Sequence, residues 1–193
     1  MPWEKTFDTD NAIDCATQVF WAKGYESASL ADLLKATKIN KGSFYNAFGS
    51  KKALFTSSLI KYDQERRGRV LVKLSELEDP VVAITTFFDL LLKESLNDKD
   101  CKGCFLINTA LDLPNHDSDV QQIVKKGMLE IEQFFEQQIN IGLTSGAIPS
   151  HVNATATAKS LLALLVGLRV LSRGVFNPDS LIAINKQAAG LLK

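Results

Sequence analysis

The segment Ser29-Leu30-Ala31-Asp32-Leu33-Leu34, continued by Ile39-Asn40-Lys41-Gly42-Ser43-Phe44-Tyr45-Asn46-Ala47-Phe48-Gly49-Ser50-Lys51, carries three helix starts in quick succession. Ser29 followed three residues later by Asp32 has the form of a capping box, with the hydroxyl accepting a first-turn amide and the carboxylate reaching back. That predicts a helix of about two turns over 30–36. After the turn Thr37-Lys38-Ile39, Asn40 is an N-cap for a second short helix over 41–48, and Ser50 caps a third. Helices this short are marginal alone, so Leu30, Leu33, Leu34, Ile39, Phe44 and Phe48 must pack on another element.

The preceding residues supply it. From Asp8 to Lys23, apolar residues at Ala12, Ile13, Ala16, Val19 and Phe20 mark one buried helix face, and Gly24 ends the run. Three packed helices with a tight turn before the third form a helix-turn-helix unit. With Phe44 and Phe48 turned inward, Lys41, Ser43, Tyr45 and Asn46 lie on the outer sides, and Gly42 lets the backbone approach a partner closely. In a DNA groove, Lys41 would donate to guanine, Asn46 would pair with adenine or a phosphate, and the Ser43 and Tyr45 hydroxyls would anchor phosphates. Tyr45 as a half-buried core aromatic is the plainer alternative. Lys51 and Lys52 occupy the first turn after Ser50, where the helix dipole disfavours cations, so an anion must offset them; a DNA phosphate at that N-terminus would do so. The same reasoning gives Ser29 a phosphate contact.

The first-helix spacing, the Gly24-Tyr25 stop, the Lys41-Gly42-Ser43-Phe44-Tyr45 run and the Phe48-Gly49-Ser50-Lys51 exit together resemble the DNA-binding domain of TetR-type (tetracycline repressor family) transcriptional regulators. The resemblance covers roughly the first third of the chain. It implies DNA contacts at the positions of Ser29, Lys41, Gly42, Ser43, Tyr45 and Lys51. Many relatives carry His just before the phenylalanine, where this chain has Ala47, preceded by Asn46.

The formal net charge of the 193 residues is zero, yet the charge is unevenly spread. Residues 35–73 carry +8 and residues 74–193 carry −4. A phosphate-facing module beside a body that does not face DNA shows this distribution, although a solvated basic helix face would share it. The beginning, Met1-Pro2-Trp3-Glu4-Lys5, has no charged-then-apolar leader, and the apolar stretch Leu161–Leu168 falls short of the roughly 20 residues that span a bilayer. A cytoplasmic protein with no membrane association is expected. Three cysteines are expected to be reduced thiols.

The whole chain reads as all-α: a helix-turn-helix domain at 1–52 and a helical ligand-binding and dimerisation domain at 53–193. A long helix over 53–77 looks like the connecting helix of the family, and being rigid it would transmit a shift of the body to the DNA head. Further helices are predicted over 79–97, 103–113, 117–142, 153–174 and 178–192. No segment alternates as a strand.

Residues 156–171 are apolar almost all round, so this helix needs two burying surfaces. Leu161, Leu162, Leu165 and Val166, with Arg169 at the rim, are expected to meet a second subunit; a central core helix is the alternative. In TetR-type proteins the last two long helices pair as a four-helix bundle, and a two-fold dimer would place its recognition helices about 34–36 Å apart on a palindromic operator. A small-molecule pocket is expected from Phe87, Phe88, Leu91, Phe105, Met128 and Phe135, oriented by Asn108 and His116. Each of these aromatics is also an ordinary core residue.

In Cys101-Lys102-Gly103-Cys104, a thiol sensor is one reading and two unreactive thiols the other. Zinc needs four ligands, which Cys15, His116 and His151 do not convincingly complete, so no metal and no cofactor is expected. No paired carboxylates or Ser/His/Asp set points to an enzyme. Two classes remain: a dimeric DNA-binding regulator, by family habit a repressor, released by a small-molecule or thiol-reactive signal; and a helical adaptor whose basic helix is incidental.

Overall fold

Asp8 accepts from the amides of Asp10 and Asn11 and so starts α1 (Thr9–Lys23), which Gly24 ends in a left-handed conformation, φ +78°. The computed structural model describes residues 7–193, and every regular element among them is helical; the Met1–Lys5 stretch read above lies outside them. The Ser29 capping box forms as the sequence predicts and opens α2 (Leu30–Thr37). Asn40 Oδ1 accepts from the Ser43 amide at 2.8 Å to start α3 (Lys41–Phe48), and Ser50 caps α4 (Lys51–Asp63). Phe20, Leu33, Phe44, Leu54, Phe55 and Leu59 close the core between these four helices. That core continues into the rest of the chain through Phe105, Leu106, Val120 and Val124. Head and body therefore share buried apolar surface, the dominant source of cohesion.

The long connecting helix expected over 53–77 is interrupted. A π-turn, Gln64–Gly68, separates α4 from α5 (Arg69–Ser75) while the backbone stays right-handed helical on both sides. Arg67 spans this turn: its Nε and Nη2 each donate to an Asp63 carboxylate oxygen at 2.6 Å, and Nη1 meets Glu130 at 2.6 Å. A single wider turn of this kind is a common local defect at functional sites, and here it puts five polar or glycine residues in a row at the joint between head and body.

The body consists of α6 (Pro80–Asn97), α7 (Phe105–Leu111), α8 (Ser118–Ser145), α9 (Ala154–Leu171) and α10 (Pro178–Gly190). The helix predicted from Gly103 starts two residues later, because Gly103 adopts φ +70° and Cys104 is extended. Its predicted end becomes a short 3-10 turn, Leu113–Asn115. Ile84, Phe87, Phe88, Phe135, Ile139, Leu161 and Leu165 form the centre of the body. α8 and α9 pack closely, and Gly142 in α8 admits Ile148: a Cβ there would lie 2.5 Å from Ile148 Cδ1.

α9 is long and apolar enough, by length and composition, to cross a membrane. In the fold it lies against α6, α8 and α10, with Leu161, Leu165 and Leu168 inward.

Candidate nucleic-acid interface and internal cavity

α3 divides cleanly into two faces. Ser43, Phe44, Ala47 and Phe48 face inward, whereas Lys41, Gly42, Tyr45 and Asn46 are exposed. Tyr45 is 46% exposed, which places its ring on the outer face rather than in the core. Ser43, expected on the outer side, is buried. It lies one residue before Phe44 and shares the inner stripe, so little of it is exposed on the outer side. The outer stripe thus has one cation, one phenol, one carboxamide and a glycine whose added Cβ would meet only Asn40 Oδ1, at 3.3 Å. Such a set donates and accepts at base edges and phosphates.

Around α3 the cations differ in how free they are. Lys35, Lys38 and Lys41 are exposed and form no ion pair among the described residues. Lys38, with φ +57° in the turn before α3, lies three residues before Lys41 and adds a further exposed cation beside the outer stripe. Lys51 and Lys52, for which an external anion was expected, already have internal partners. Lys51 Nζ donates to the Glu26 carbonyl at 3.3 Å and sits 4.5 Å from the Tyr25 ring centre. Lys52 Nζ pairs with Asp117 at 2.7 Å, and this hydrogen bond raises its pKa. The dipole cost at this helix start is therefore met within the chain, by groups distant in sequence.

The Ser29 hydroxyl is likewise occupied. It accepts from the Asp32 amide and donates to Asp32 Oδ2 at 2.7 Å, while Lys23 pairs with Asp32 Oδ1 at 2.7 Å. The hydrogen bond from Lys23 and those from Ser29 hold the Asp32 carboxyl far below its ordinary range.

The expected ligand pocket splits in three. A cavity of about 410 Å³ lies beneath the π-turn and is lined by Phe87, Leu91 and Met128, as predicted, together with Ile107, Ile131 and Leu165. Its volume falls within the range of small-molecule sites, about 300–1,000 Å³. Phe105, Asn108 and His116 instead border a smaller hollow of about 210 Å³ near Trp21, Tyr25 and Phe55. His116 stacks on Phe55 with rings 5.4 Å apart and 3° from parallel, which turns it toward the head and away from the larger cavity. Phe88 and Phe135 are fully buried core residues and line neither space.

The candidate dimer residues also separate by face. Leu161 and Leu165 point into the monomer core. Leu162 and Val166, half-buried, line a shallow apolar groove with Ala163, Gly167, Val170 and Leu111. Arg169, expected at a rim, is 3% exposed. Its Nη1 donates to Ser95 Oγ at 2.9 Å and its Nη2 to the Gly103 carbonyl at 2.8 Å, so it pins α9 to the end of α6 and the loop before α7.

That loop carries the thiols. Cys101 is exposed, with φ +52°; Cys104 is half-buried, lines the larger cavity, and accepts from the Tyr62 hydroxyl at 3.7 Å. Burial, with Cys104 alongside, pushes the Tyr62 hydroxyl up, so it remains a neutral donor. Among the described residues no group of three His, Cys, Asp or Glu is placed to hold a metal ion.

Residues 12–57 match the family model described as bacterial regulatory proteins, tetR family, and residues 81–181 match the tetracyclin repressor-like C-terminal domain. Among similar proteins is the HTH-type transcriptional repressor ComR of Escherichia coli K12, 29% identical over 93% of this chain and 86% of that protein. Another is the HTH-type transcriptional repressor DhaR of Mycobacterium sp. GP1, 28% identical over 78% of this chain and 75% of the relative. A solved structure of the TetR family regulator CifR, as a cysteine mutant complexed with 26-base-pair operator DNA, superposes with a TM-score of 0.83 at 26% identity, covering 96% of this chain and 97% of that one. The chain belongs to the TetR family, and it is a DNA-binding transcriptional regulator.

Proposed function

We propose that the chain is a cytoplasmic repressor without catalytic activity that acts as a homodimer on a palindromic operator and is released when a small molecule fills the cavity beneath the π-turn. The observation that carries this reading is the outer stripe of α3: Lys41, Gly42, Tyr45 and Asn46 are exposed while Phe44, Ala47 and Phe48 face inward. Lys41 and Asn46 read base edges, and Tyr45, Lys38 and Lys51 meet phosphates. Where the Ser29 hydroxyl is occupied, the amides of Leu30 and Ala31 offer the phosphate contact at the start of α2. Lys52 joins them once it leaves Asp117. Residues 1–52 form the DNA-binding head and 53–193 the effector and dimer domain. Leu162 and Val166, on the groove of α9, meet their counterparts in the second copy, giving the apolar outer face of α9 its second burying surface.

The test is selection of binding sites from a random DNA pool with the purified, reduced protein. Recovery of a two-fold palindrome with half-sites about one helical turn apart supports the reading. Enrichment of nothing by the folded protein overturns it in favour of a helical adaptor.

A thiol-reactive signal is a second reading, favoured by Cys101 being exposed and Cys104 lining the cavity. If the Cys101→Ser, Cys104→Ser double variant responds to oxidant as the parent does, this reading fails.

A further inference from the structure

The larger cavity has an apolar floor and an electrically unbalanced wall. Five cationic side chains line it against three carboxylates, and the carboxylates are unequally engaged. Asp63 is held bidentately by Arg67. Glu94, half-exposed, lies between two arginines at near-limiting distances, 3.7 Å from Arg169 Nη2 and 3.9 Å from Arg66 Nη1. Arg69 and Lys73 form no ion pair among the described residues. Arg169 itself is almost wholly buried, and its Nε has no acceptor among them. A buried guanidinium with a loose counter-ion and an unsatisfied N–H is a site that a better-placed oxyanion improves.

We propose that the effector is an organic anion with an apolar body, whose carboxylate takes the place of Glu94 between Arg169 and Arg66 while its body covers Phe87, Leu91, Met128 and Ile131. This rests on the reading of the chain as an effector-released regulator. A cationic ligand would face five cations across a wall whose one carboxylate without an ion pair among the described residues, Glu65, is exposed, and a neutral one would bring no charge to Arg169 and Arg66.

The position of Arg66 gives the anion a route to the DNA head. Its guanidinium carbon lies 5.0 Å from the Trp21 ring centre and 5.2 Å from that of Tyr62. Trp21 belongs to α1, and its Nε1 donates to the Lys102 carbonyl at 3.2 Å, in the loop that Arg169 also holds through Gly103. One cation thus stands between two partners, an aromatic face on the head and a carboxylate at the cavity. A carboxylate that draws Arg66 inward removes a contact between head and π-turn. Effector binding and operator binding then oppose one another, as linkage requires when each favours a different position of the same element.

The test uses the full chain carrying Trp3→Phe, so that emission reports Trp21 alone, titrated by calorimetry with octanoate, octanol and octylammonium. Octanoate is expected to bind about tenfold or more tightly than either eight-carbon analogue, the difference a charge-assisted hydrogen bond supplies. It should shift Trp21 emission and weaken operator binding. Glu94→Gln should raise octanoate affinity severalfold by removing the resident carboxylate, and Arg66→Gln, at a half-exposed position, should lower it with the thermal midpoint retained. Octanol binding as tightly as octanoate, no heat with octanoate, or an octanoate affinity indifferent to Glu94→Gln would overturn the proposal. A ligand-free protein that binds no operator would instead defeat the regulator reading, and calorimetry would still decide the ligand chemistry.

Discussion

Lys52 in the first turn of α4 and Asp117 just before α8 meet at 2.7 Å, joining the edge of the DNA head to the body by a bond exposed to solvent on both sides. Such pairs contribute little to folding because water and salt screen them. The pair matters for where the lysine is directed: while bound to Asp117, Lys52 is withheld from phosphate.

Asp117→Asn should therefore leave the thermal midpoint unchanged and raise operator affinity a few-fold. It would also steepen the salt dependence by about one counterion, since one more lysine meets phosphate. Fluorescence anisotropy across a salt series reads both quantities. An unchanged slope and affinity would mean that Lys52 does not reach DNA.

The Asp63–Arg67 pair carries the stability that Lys52–Asp117 does not. Both side chains are nearly buried, and Arg67 also meets Glu130 across the joint. Arg67→Met leaves a buried carboxylate uncompensated and should cost about 3–5 kcal/mol in urea unfolding. The double variant Asp63→Leu, Arg67→Met should recover most of that loss. A single variant as stable as the parent would show that the π-turn is held by its backbone alone.

Gly142→Ala tests the contact of α8 with Ile148. Alanine favours the helix by about 1 kcal/mol, yet its Cβ would sit 2.6 Å from Ile148 Cγ1 and 3.2 Å from Ile148 Cβ, both near the backbone of a buried residue. Overpacking of this kind costs about 1–3 kcal/mol, so a net fall in the thermal midpoint is expected. A rise would mean that the segment after α8 gives way freely.

Asp32 fixes a pH dependence. Its carboxyl titrates lower when folded than unfolded, so the folded state binds fewer protons there as the pH falls through the ordinary carboxylate range. The stabilisation is complete above that range and declines below about pH 4. Asp32→Asn should flatten this part of the acid limb of unfolding, and an identical acid limb in both proteins would contradict the cap's contribution.

The helix starts at Ser29, Asn40 and Ser50 were legible because a cap is a local event, decided within three residues. The inward position of Phe44 was legible for the same reason. Ser43 was misplaced because two phenylalanines mark the middle of an inner stripe and not its width. The burial of Arg169 and the internal partner of Lys52 were not legible for a different reason: the groups that decide them, Ser95 and Gly103 for one, Asp117 for the other, lie more than 60 residues away along the chain and meet them only in the fold. The split of the expected pocket likewise follows from how α7 turns Phe105 and Asn108 toward the head, which no periodicity encodes. The π-turn left little signal in the helical pattern, since four of its five residues, Gln64, Glu65, Arg66 and Arg67, are ordinary helix formers and only Gly68 is not.

If the outer stripe of α3 reads bases while Lys51 holds the backbone, Lys41→Ala and Lys51→Ala should separate when each is measured against the selected operator and each of its single-base variants. Lys51→Ala should weaken every sequence alike and reduce the salt slope by about one, whereas Lys41→Ala should cost about 1–3 kcal/mol on the parent operator and flatten the preference at particular base pairs. Uniform losses from both substitutions across all sequences would mean that α3 does not read bases through Lys41.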